Sequence, residues 1–241
     1  MENSGILYVI STPIGNLADM TSRAINILNN VDIIACEDTR SSRSLLNHLD
    51  IKTKCISYHE HSDYKETELI LEMLRSGASI ALISDAGTPA ISDPGYKLIK
   101  ECSKQLINYT LIPGPSSVIS AAVMSGLPTD KFTFFGFVPK KLNDQEVCFE
   151  SIKEDNKTAI FFESSKRLEK TITNLIKVLG KTRRVSICKE MTKLHEQIFR
   201  GSALEILEDI KKEKILLKGE MVIVIEGTQK ITNNFVIDKN K

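Results

Sequence analysis

Three loops that each follow a predicted strand combine glycine, proline and small hydroxyl residues. They span residues 11–17, 84–95 and 113–117. Small residues let the backbone approach a ligand closely and present its N–H and C=O groups. In an open α/β sheet the carboxyl ends of neighbouring strands form the ligand crevice. A further segment at a strand end, Cys36–Arg40, adds charged side chains. We therefore expect these loops to form a ligand site rather than serve only as tight connections.

Several patterns that would indicate other chemistry are incomplete. Gly180-Lys181-Thr182 resembles the end of a phosphate-binding loop, but Leu175 stands where such a loop needs glycine. His195-Glu196 begins a zinc-protease pattern in which Phe199 replaces the second histidine. His59-Glu60-His61 offers two metal ligands without an evident third, so we expect no metal site. No G-x-G-x-x-G follows the first strand, which weakens an ordinary dinucleotide-binding interpretation.

Strand and helix patterns alternate along the chain that must position these loops. The first is the β-branched run Ile6–Ile10, and strands in the second half are predicted at 132–137, 158–162, 184–188 and 221–225. This alternation predicts an α/β protein with mixed, partly parallel sheets. The strongest break is Pro113–Ser117. We place an N-terminal α/β domain at residues 1–116, a C-terminal α/β domain at 117–230 and a polar tail at 231–241.

Composition narrows the class of protein further. The 241 residues are 41% hydrophobic and 26% charged, and 32 Lys+Arg against 31 Asp+Glu give a net charge of +1, which excludes disorder as the main state. No apolar stretch approaches the ~20 residues that a bilayer requires, and the amino terminus lacks the pattern of a secretory signal. Five scattered cysteines without a C-x-x-C pair are typical of a reducing compartment. We expect a cytoplasmic protein without a membrane partner.

A set of motifs spread over nearly the whole chain resembles one family of enzymes. The motifs are Leu7–Leu17, Glu37–Arg40, Ser57–His61, Ser84–Gly95, Gly126–Asp130, Gly136–Pro139, Phe162–Ser164, Lys189–Lys193, Arg200-Gly201 and Lys218–Glu220. They are similar to the small-subunit ribosomal RNA methyltransferases that modify the 2′-O-ribose of a cytidine in the decoding region of 16S RNA. That family belongs to the tetrapyrrole (corrin/porphyrin) methylase superfamily. The first four motifs are specific to its RNA-modifying branch.

The resemblance implies a fold, a cofactor and an assembly. It implies two α/β domains that hold S-adenosylmethionine in a cleft between them, and it suggests a homodimer. Carried over by motif, the cofactor-binding residues would be Pro13, Ala86, Gly87, Thr88, Ile91, Ser92, Ser116, Ser117, Glu163, Met191 and Met221.

The acceptor of such a reaction, a ribose hydroxyl, is a poor nucleophile unless its proton is accepted or its oxyanion is stabilised. Candidate residues for this task are Glu37 and Asp38 as acceptors, Arg40 as a clamp for phosphate or carboxylate, and the pair Lys189-Glu190. The alternative for Asp38 and Arg40 is a structural ion pair.

Basic residues cluster in the second half of the chain, which fits either an anionic partner or a solvated surface. We expect Lys166 and Arg167, with His59 and His61 of the first half, to contact RNA.

Three functions remain open on the sequence. The leading one is 2′-O-methylation of small-subunit ribosomal RNA. The second is methylation of a small tetrapyrrole precursor, although the Gly-rich first loop common in those enzymes is absent. The third is a ribosome-assembly factor that binds S-adenosylmethionine without turnover.

Overall fold

A computed structural model describes residues 5–59 and 64–228. The chain divides into two compact units. The first unit comprises Met1–Ser120 with Glu190–Glu196, and the second comprises Ala121–Lys189 with Gln197–Lys241. Residues 190–196 therefore belong to the first unit although they interrupt the second along the chain. The predicted polar tail at 231–241 lies outside the described residues.

Within the described residues, the first unit contains a five-stranded parallel sheet. Its strands are β1 (Ile6–Ile10), β2 (Ile33–Cys36), β3 (Cys55–Ser57), β4 (Ser79–Ile83) and β5 (Asn108–Ile112), in the order β3-β2-β4-β1-β5. Ile83 is the register partner of both Ile10 and Cys36, and Ile10 is also the partner of Ile112. The strands thus end level with one another, and the loops that follow them begin at the same edge of the sheet.

Helices cover both faces of this sheet, which explains why its strands read as continuous apolar runs. They are α1 (Ser22–Asn30), α2 (Thr39–His48), α3 (Tyr64–Arg75) and α4 (Tyr96–Lys104). Leu7, Val9 and Leu82 pack with α3 and α4 on one face. Ile10 and Ile83 pack with α1 and α2 on the other. Side chains on both faces of the central strands are therefore removed from water, which fixes the positions of the strand ends.

The second unit is built on a mixed sheet. Its strands are β6 (Phe132–Phe137), β7 (Thr158–Ser164), β8 (Arg184–Lys189), β9 (Gln197–Ser202) and β10 (Glu220–Ile225), in the order β6-β7-β10-β8-β9. Only the β6–β7 pair is parallel among these described strands. One face is packed by α6 (Leu142–Ser151), α7 (Leu168–Leu179) and α8 (Ala203–Lys211), whose core residues include Phe149, Ile172 and Ile206. A further helix, α5 (Ser117–Ser125), joins the two units along the chain.

The predicted fold class, α/β with parallel and mixed sheets, is confirmed. One strand, β9, was missed. Ile198 and Phe199 are its only large apolar residues, they are adjacent rather than alternating, and the strand lies at the sheet edge. An edge strand buries less and needs no apolar alternation. In the described part of the chain, no helix has the length and apolar character to cross a membrane.

Candidate active site

Three loops of the first unit are tied together where β1, β4 and β5 end. Thr12 and Gly87 exchange two backbone hydrogen bonds, with N···O distances of 2.9 and 3.1 Å. The hydroxyls of Ser11 and Thr88 are hydrogen-bonded at 2.9 Å, and the Thr88 hydroxyl donates to the Pro115 carbonyl at 3.4 Å. These bonds join residues far apart in sequence. The loops therefore form one continuous surface of backbone and small side chains.

Two glycines contribute to the packing of these loops. Gly87 has a φ of +82°, a conformation that favours glycine, and a Cβ placed there would lie 3.4 Å from Ile14 Cγ2. A Cβ on Gly114 would approach the Cβ of Ser11 to 3.1 Å. The backbone conformation at Gly87 and the close approach of Gly114 to Ser11 therefore favour glycine at the two positions and let the three loops pack closely against one another.

The loop that follows β4 carries unusual backbone conformations. Ala90 and Ser92 have φ values of 70° and 59°, in the left-handed region that non-glycine residues rarely adopt. The N–H of Ala90 donates to the Pro94 carbonyl at 3.0 Å, which closes the loop on itself. Ile91 projects outward and is 45% exposed. Strain of this kind clusters at ligand-binding sites, and here it presents Ile91 and Ser92 at the strand ends.

Acidic residues gather beside these loops. Burial, followed by the negative charge of Glu37, raises the pKa of Asp93 to about 6, although the Ser84 side chain opposes the shift by hydrogen bonding. Burial and the charge of Asp38 likewise raise the pKa of Asp85. Glu37 and Asp38 follow β2, whereas Asp85 and Asp93 follow its neighbour β4. The arrangement provides a carboxyl group that exchanges protons near neutral pH.

Asp93 was not singled out among the acidic residues by the sequence analysis. It lies inside the recognised segment 84–95, but its pKa depends on burial and on Glu37, which is distant in sequence. The only local signal is an Asp-Pro pair in a loop after a buried strand.

Asp38 has a structural task at the start of α2. Its Oδ1 accepts a hydrogen bond from the backbone N–H of Arg40 at 2.7 Å, as an N-cap does. Its contact with Arg40 is thus to the main chain, while the Arg40 side chain is exposed. The cap fixes where α2 begins and so where Glu37 lies.

Residues 190–196 pack on the first loop of the same unit. The N–H of Asn16 donates to Thr192 Oγ1 at 3.1 Å, and the N–H of Thr192 donates to Glu196 Oε2 at 2.6 Å. A Cβ on Gly15 would lie only 2.4 Å from Lys193 Cγ and 3.0 Å from the Met191 carbonyl oxygen. This close approach places Met191 beside the loop that contains Pro13. Glu190 forms an ion pair with Lys193 at 3.1 Å.

In the second unit, three of the predicted site residues form one row across the sheet. Met221 is the register partner of Glu163 on one side and of Lys189 on the other. The side chain of Met221 belongs to the hydrophobic core. Lys189 is buried, and its Nζ donates to Gln197 Oε1 at 3.4 Å.

Glu163 is enclosed by hydrogen-bond donors. Its Oε1 accepts from Ser164 N at 2.7 Å and from Arg167 Nε at 2.8 Å. Its Oε2 accepts from Arg167 Nη2 at 2.9 Å and from Thr171 Oγ1 at 2.5 Å. Four donors use the acceptor capacity of a carboxylate. Arg167 also donates to the Val138 carbonyl at 2.6 Å, so this pair joins β7, α7 and the segment after β6.

Comparison with known proteins identifies the family. The profile of the Tetrapyrrole (Corrin/Porphyrin) Methylases matches residues 6–207. The chain belongs to the tetrapyrrole methylases.

Similar curated proteins include several named Ribosomal RNA small subunit methyltransferase I. The protein of Halalkalibacterium halodurans is 44% identical over 226 residues, which are 94% of this chain and 77% of the relative. That of Thermotoga maritima is 42% identical over 225 residues, which are 93% of this chain and 100% of the relative. The resemblance inferred from motifs is confirmed, and the chain is a methyltransferase.

Solved structures support the same fold at low identity. Diphthine synthase aligns with a TM-score of 0.68 and 13% identity over 94% of this chain and 92% of that one. Uroporphyrin-III-C-methyltransferase from Thermus thermophilus aligns with a TM-score of 0.63 and 14% identity over 92% and 94% of the two chains.

The loops of the first unit fit the methyl donor of tetrapyrrole methylases, S-adenosylmethionine. The adenosine part of this cofactor is uncharged, and the small residues of these loops leave backbone N–H and C=O groups that suit close contact with it. The structure brings together the predicted cofactor-binding residues of this unit around the ends of β1, β4 and β5. They are Pro13, Ala86, Gly87, Thr88, Ile91, Ser92, Ser116 and Ser117, with Met191 beside the first loop.

Other predicted contacts find less support. The hydrogen bonds of Glu163 and Arg167 give both side chains a structural role, so their predicted contacts with cofactor and RNA remain predictions that these bonds do not favour. His59 is exposed just after β3, and Lys166 is exposed after β7. His61 lies outside the described residues.

Proposed function

We propose that this chain transfers a methyl group from S-adenosylmethionine to the 2′-hydroxyl of a cytidine in the decoding region of 16S RNA, in the cytoplasm. The observation that carries this proposal is the 44% identity, over 94% of the chain, with a protein named as a small-subunit ribosomal RNA methyltransferase. The motifs specific to the RNA-modifying branch, Glu37–Arg40 and Ser57–His61, support the choice of substrate.

The loops of the first unit would hold the cofactor. Pro13, the segment Ala86–Thr88, the strained pair Ile91-Ser92 and the pair Ser116-Ser117 supply close main-chain and small polar contacts. Met191 would add an apolar contact beside the first loop, and Met221 of the second unit is predicted to contribute as well. S-adenosylmethionine supplies an activated methyl group on a sulfonium. Because the positive charge of the sulfonium disappears on transfer, positioning contributes much of the rate.

The residues of the chain must also accept a proton from the ribose hydroxyl. Asp93 suits this task because its pKa of about 6 leaves it ionised at neutral pH while keeping it more basic than an ordinary aspartate. Glu37 and Asp85 keep that basicity high through their negative charges. The exposed guanidinium of Arg40 is suited to an RNA phosphate. Lys189 and Glu190 stay candidates, although Glu190 is paired with Lys193.

The proposal is tested by mapping ribose methylation. Unmodified small subunits are incubated with the protein and labelled S-adenosylmethionine, and the 16S RNA is analysed by mass spectrometry. We expect a single 2′-O-methylated cytidine in the decoding region, and its loss in Asp93→Asn. Naked 16S RNA run in parallel shows whether the folded particle is required. Absence of label from both substrates with cofactor-binding wild-type protein would overturn the proposal and favour an assembly factor without turnover.

A tetrapyrrole substrate is the second candidate. The structural likeness to uroporphyrin-III-C-methyltransferase shows a shared fold, at 14% identity. Incubation with a free uroporphyrin precursor tests this directly, and we expect no methylated product.

We further propose that the methyltransferase acts as a homodimer. Helix α5 leaves Ile119, Val123 and Met124 exposed at 52%, 67% and 39%. Ile119 and Val123 lie one turn apart on the same helix face, and exposed apolar side chains grouped in this way are typical of an interaction surface.

A further inference from the structure

A cluster of three phenylalanine rings lies on the β6–β7 edge of the second unit. The ring centroids of Phe134 and Phe162 are 4.8 Å apart, and those of Phe137 and Phe162 are 5.4 Å apart, both edge to face. Phe137 is 62% exposed. Phe161, the neighbour of Phe162, belongs to the core under the helices. Since successive strand residues point to opposite faces, the cluster lies on the face away from those helices.

A bulge in β6 gives Phe137 this position. The pairing register shifts between Phe134 and Phe137, so that Phe137 becomes the partner of Phe162. Gly136 within the bulge has a φ of +73°. Regular pairing would have turned residue 137 to the opposite face, because side chains alternate along a strand. The bulge thus places the ring of Phe137 on the exposed face of the sheet instead of in the core.

Exposed lysines flank this aromatic cluster. Because β6 and β7 are parallel, their carboxyl ends lie at one edge of the sheet. Lys140 and Lys141 follow β6, and Lys166 follows β7; all three are exposed. The Val138 carbonyl accepts a hydrogen bond from Arg167 at 2.6 Å, which holds the two segments together.

The nearby acids do not cancel these charges. Asp144 and Glu169 are the exposed carboxylates of the first turns of α6 and α7. On the neighbouring strand, exposed Glu220 is the register partner of Ser164 and adds a third carboxylate. The lysines after β6 and β7, joined by exposed Lys170 and by exposed Lys218 just before β10, outnumber these three. The edge therefore carries a positive charge next to an exposed ring.

We propose that Phe134, Phe137 and Phe162 with Lys140, Lys141 and Lys166 form a binding surface for single-stranded RNA. This inference rests on the proposed function and assigns part of the substrate to the second unit. A base stacks on Phe137, and the lysines contact the flanking phosphates, as in proteins that combine aromatic platforms with a basic groove. A second copy of the chain docked on the same face would double the number of lysines at a single interface, which disfavours a symmetric dimer there.

The test compares variants of the surface with matched controls. Phe137→Ala is paired with Phe132→Ala, which removes a 37% exposed ring at the other end of β6. The double variant Lys140→Ala/Lys141→Ala is paired with Lys211→Ala/Lys212→Ala, two exposed lysines at the end of α8. The probe is a fluorescein-labelled single-stranded cytidine oligoribonucleotide of about 12 residues, within the ~4–16 that one such surface spans.

We expect Phe137→Ala to weaken binding of this probe by at least about fivefold, the loss of one stacked base. In the double lysine variant, the negative slope of log K against log salt should become shallower by about 1.4, which corresponds to two lost phosphate contacts. The control variants should bind as the wild type does. Calorimetry with S-adenosylmethionine is the folding control. We expect each variant to bind the cofactor with the affinity of the wild type.

Two results would overturn the inference. The first is that both surface variants bind the probe as tightly as the wild type or the controls do. The second is light scattering that shows a dimer dissociated by Phe137→Ala with RNA affinity intact, which would make this face an interface between copies. Wild-type methylation of small subunits is measured in the same series. If it succeeds while the surface variants behave as wild type, the inference fails and the proposed function stands.

Discussion

Asp93 and Glu37 follow two adjacent parallel strands, and they are coupled. Burial raises the pKa of Asp93 first, and the charge of Glu37 raises it further, to about 6. A carboxyl group with this pKa changes its protonation within the range in which enzymes are assayed. Their coupling therefore predicts how the rate of methylation and the stability of the fold depend on pH.

The rate of methylation should rise with pH through about 6, because the ionised form of Asp93 accepts the ribose proton. Glu37→Gln removes a neighbouring negative charge, so the pKa of Asp93 should fall and the rising limb should move to lower pH. Asp130→Asn changes an exposed acid of the second unit and should leave the profile as in the wild type. The measurement is single-turnover methylation of small subunits between pH 5 and pH 8. An unmoved limb in Glu37→Gln would exclude Asp93 as the titrating group.

Asp93→Asn should abolish methylation and yet stabilise the fold. The folded-state pKa of Asp93, about 6, lies above the ordinary aspartate pKa of 3.8. The folded protein therefore binds a proton more tightly than the unfolded chain does, and its stability falls as pH rises from about 4 to about 6. At pH 7 the buried charge is a cost, which we place at about 1–3 kcal/mol after allowing for solvent screening. Urea unfolding at pH 7 measures how much more stable Asp93→Asn is than the wild type. This gain in stability should disappear below pH 4.

The sequence predicts most strands of both sheets but not the chemistry of Asp93. Runs such as Ile6–Ile10 are apolar because helices cover both faces, and this pattern is local. The pKa of Asp93 and the docking of residues 190–196 on Gly15 depend on groups that only the folded chain brings together. The bonds between Glu163 and Arg167 span four residues, yet the burial that makes them structural is set by the sheet. Recognition of motifs therefore locates the site better than it assigns roles within it.

The hydroxyl of Thr192 should position Met191 for cofactor binding. Thr192→Val leaves the N–H of Asn16 without its acceptor, which costs about 1–3 kcal/mol where the group is shielded and less where water reaches it. Thr192→Ser keeps the hydroxyl and serves as the control. We expect the dissociation constant for S-adenosylmethionine to rise several-fold in Thr192→Val and to stay near the wild-type value in Thr192→Ser. Calorimetry measures both, and equal affinity in the two variants would separate this segment from the cofactor site.

The exposed face of α5 provides a test of the homodimer. Val123→Asp places a charge on a side chain that is 67% exposed in the monomer, so the fold should tolerate it. In a dimer buried through this face, the unpaired carboxylate would be desolvated, and the dimer should dissociate. Light scattering measures the mass, with Val147→Asp on α6, where the native side chain is 72% exposed, as the control. A dimer that persists in Val123→Asp would move the interface elsewhere.

We expect the main role of Arg167 to be stabilisation of the fold rather than RNA binding. The Glu163 side chain is 0% exposed, and Arg167 supplies two of its four hydrogen-bond donors. Arg167→Ala leaves a buried carboxylate half-satisfied, which costs about 3–5 kcal/mol in such pairs. Lys166→Ala removes the adjacent exposed charge and should leave the free energy of unfolding within about 0.5 kcal/mol of the wild type. Urea unfolding distinguishes the two variants. A small loss in Arg167→Ala would show that the guanidinium is free to serve RNA instead, and RNA binding at a temperature where the variant remains folded would then reveal that role.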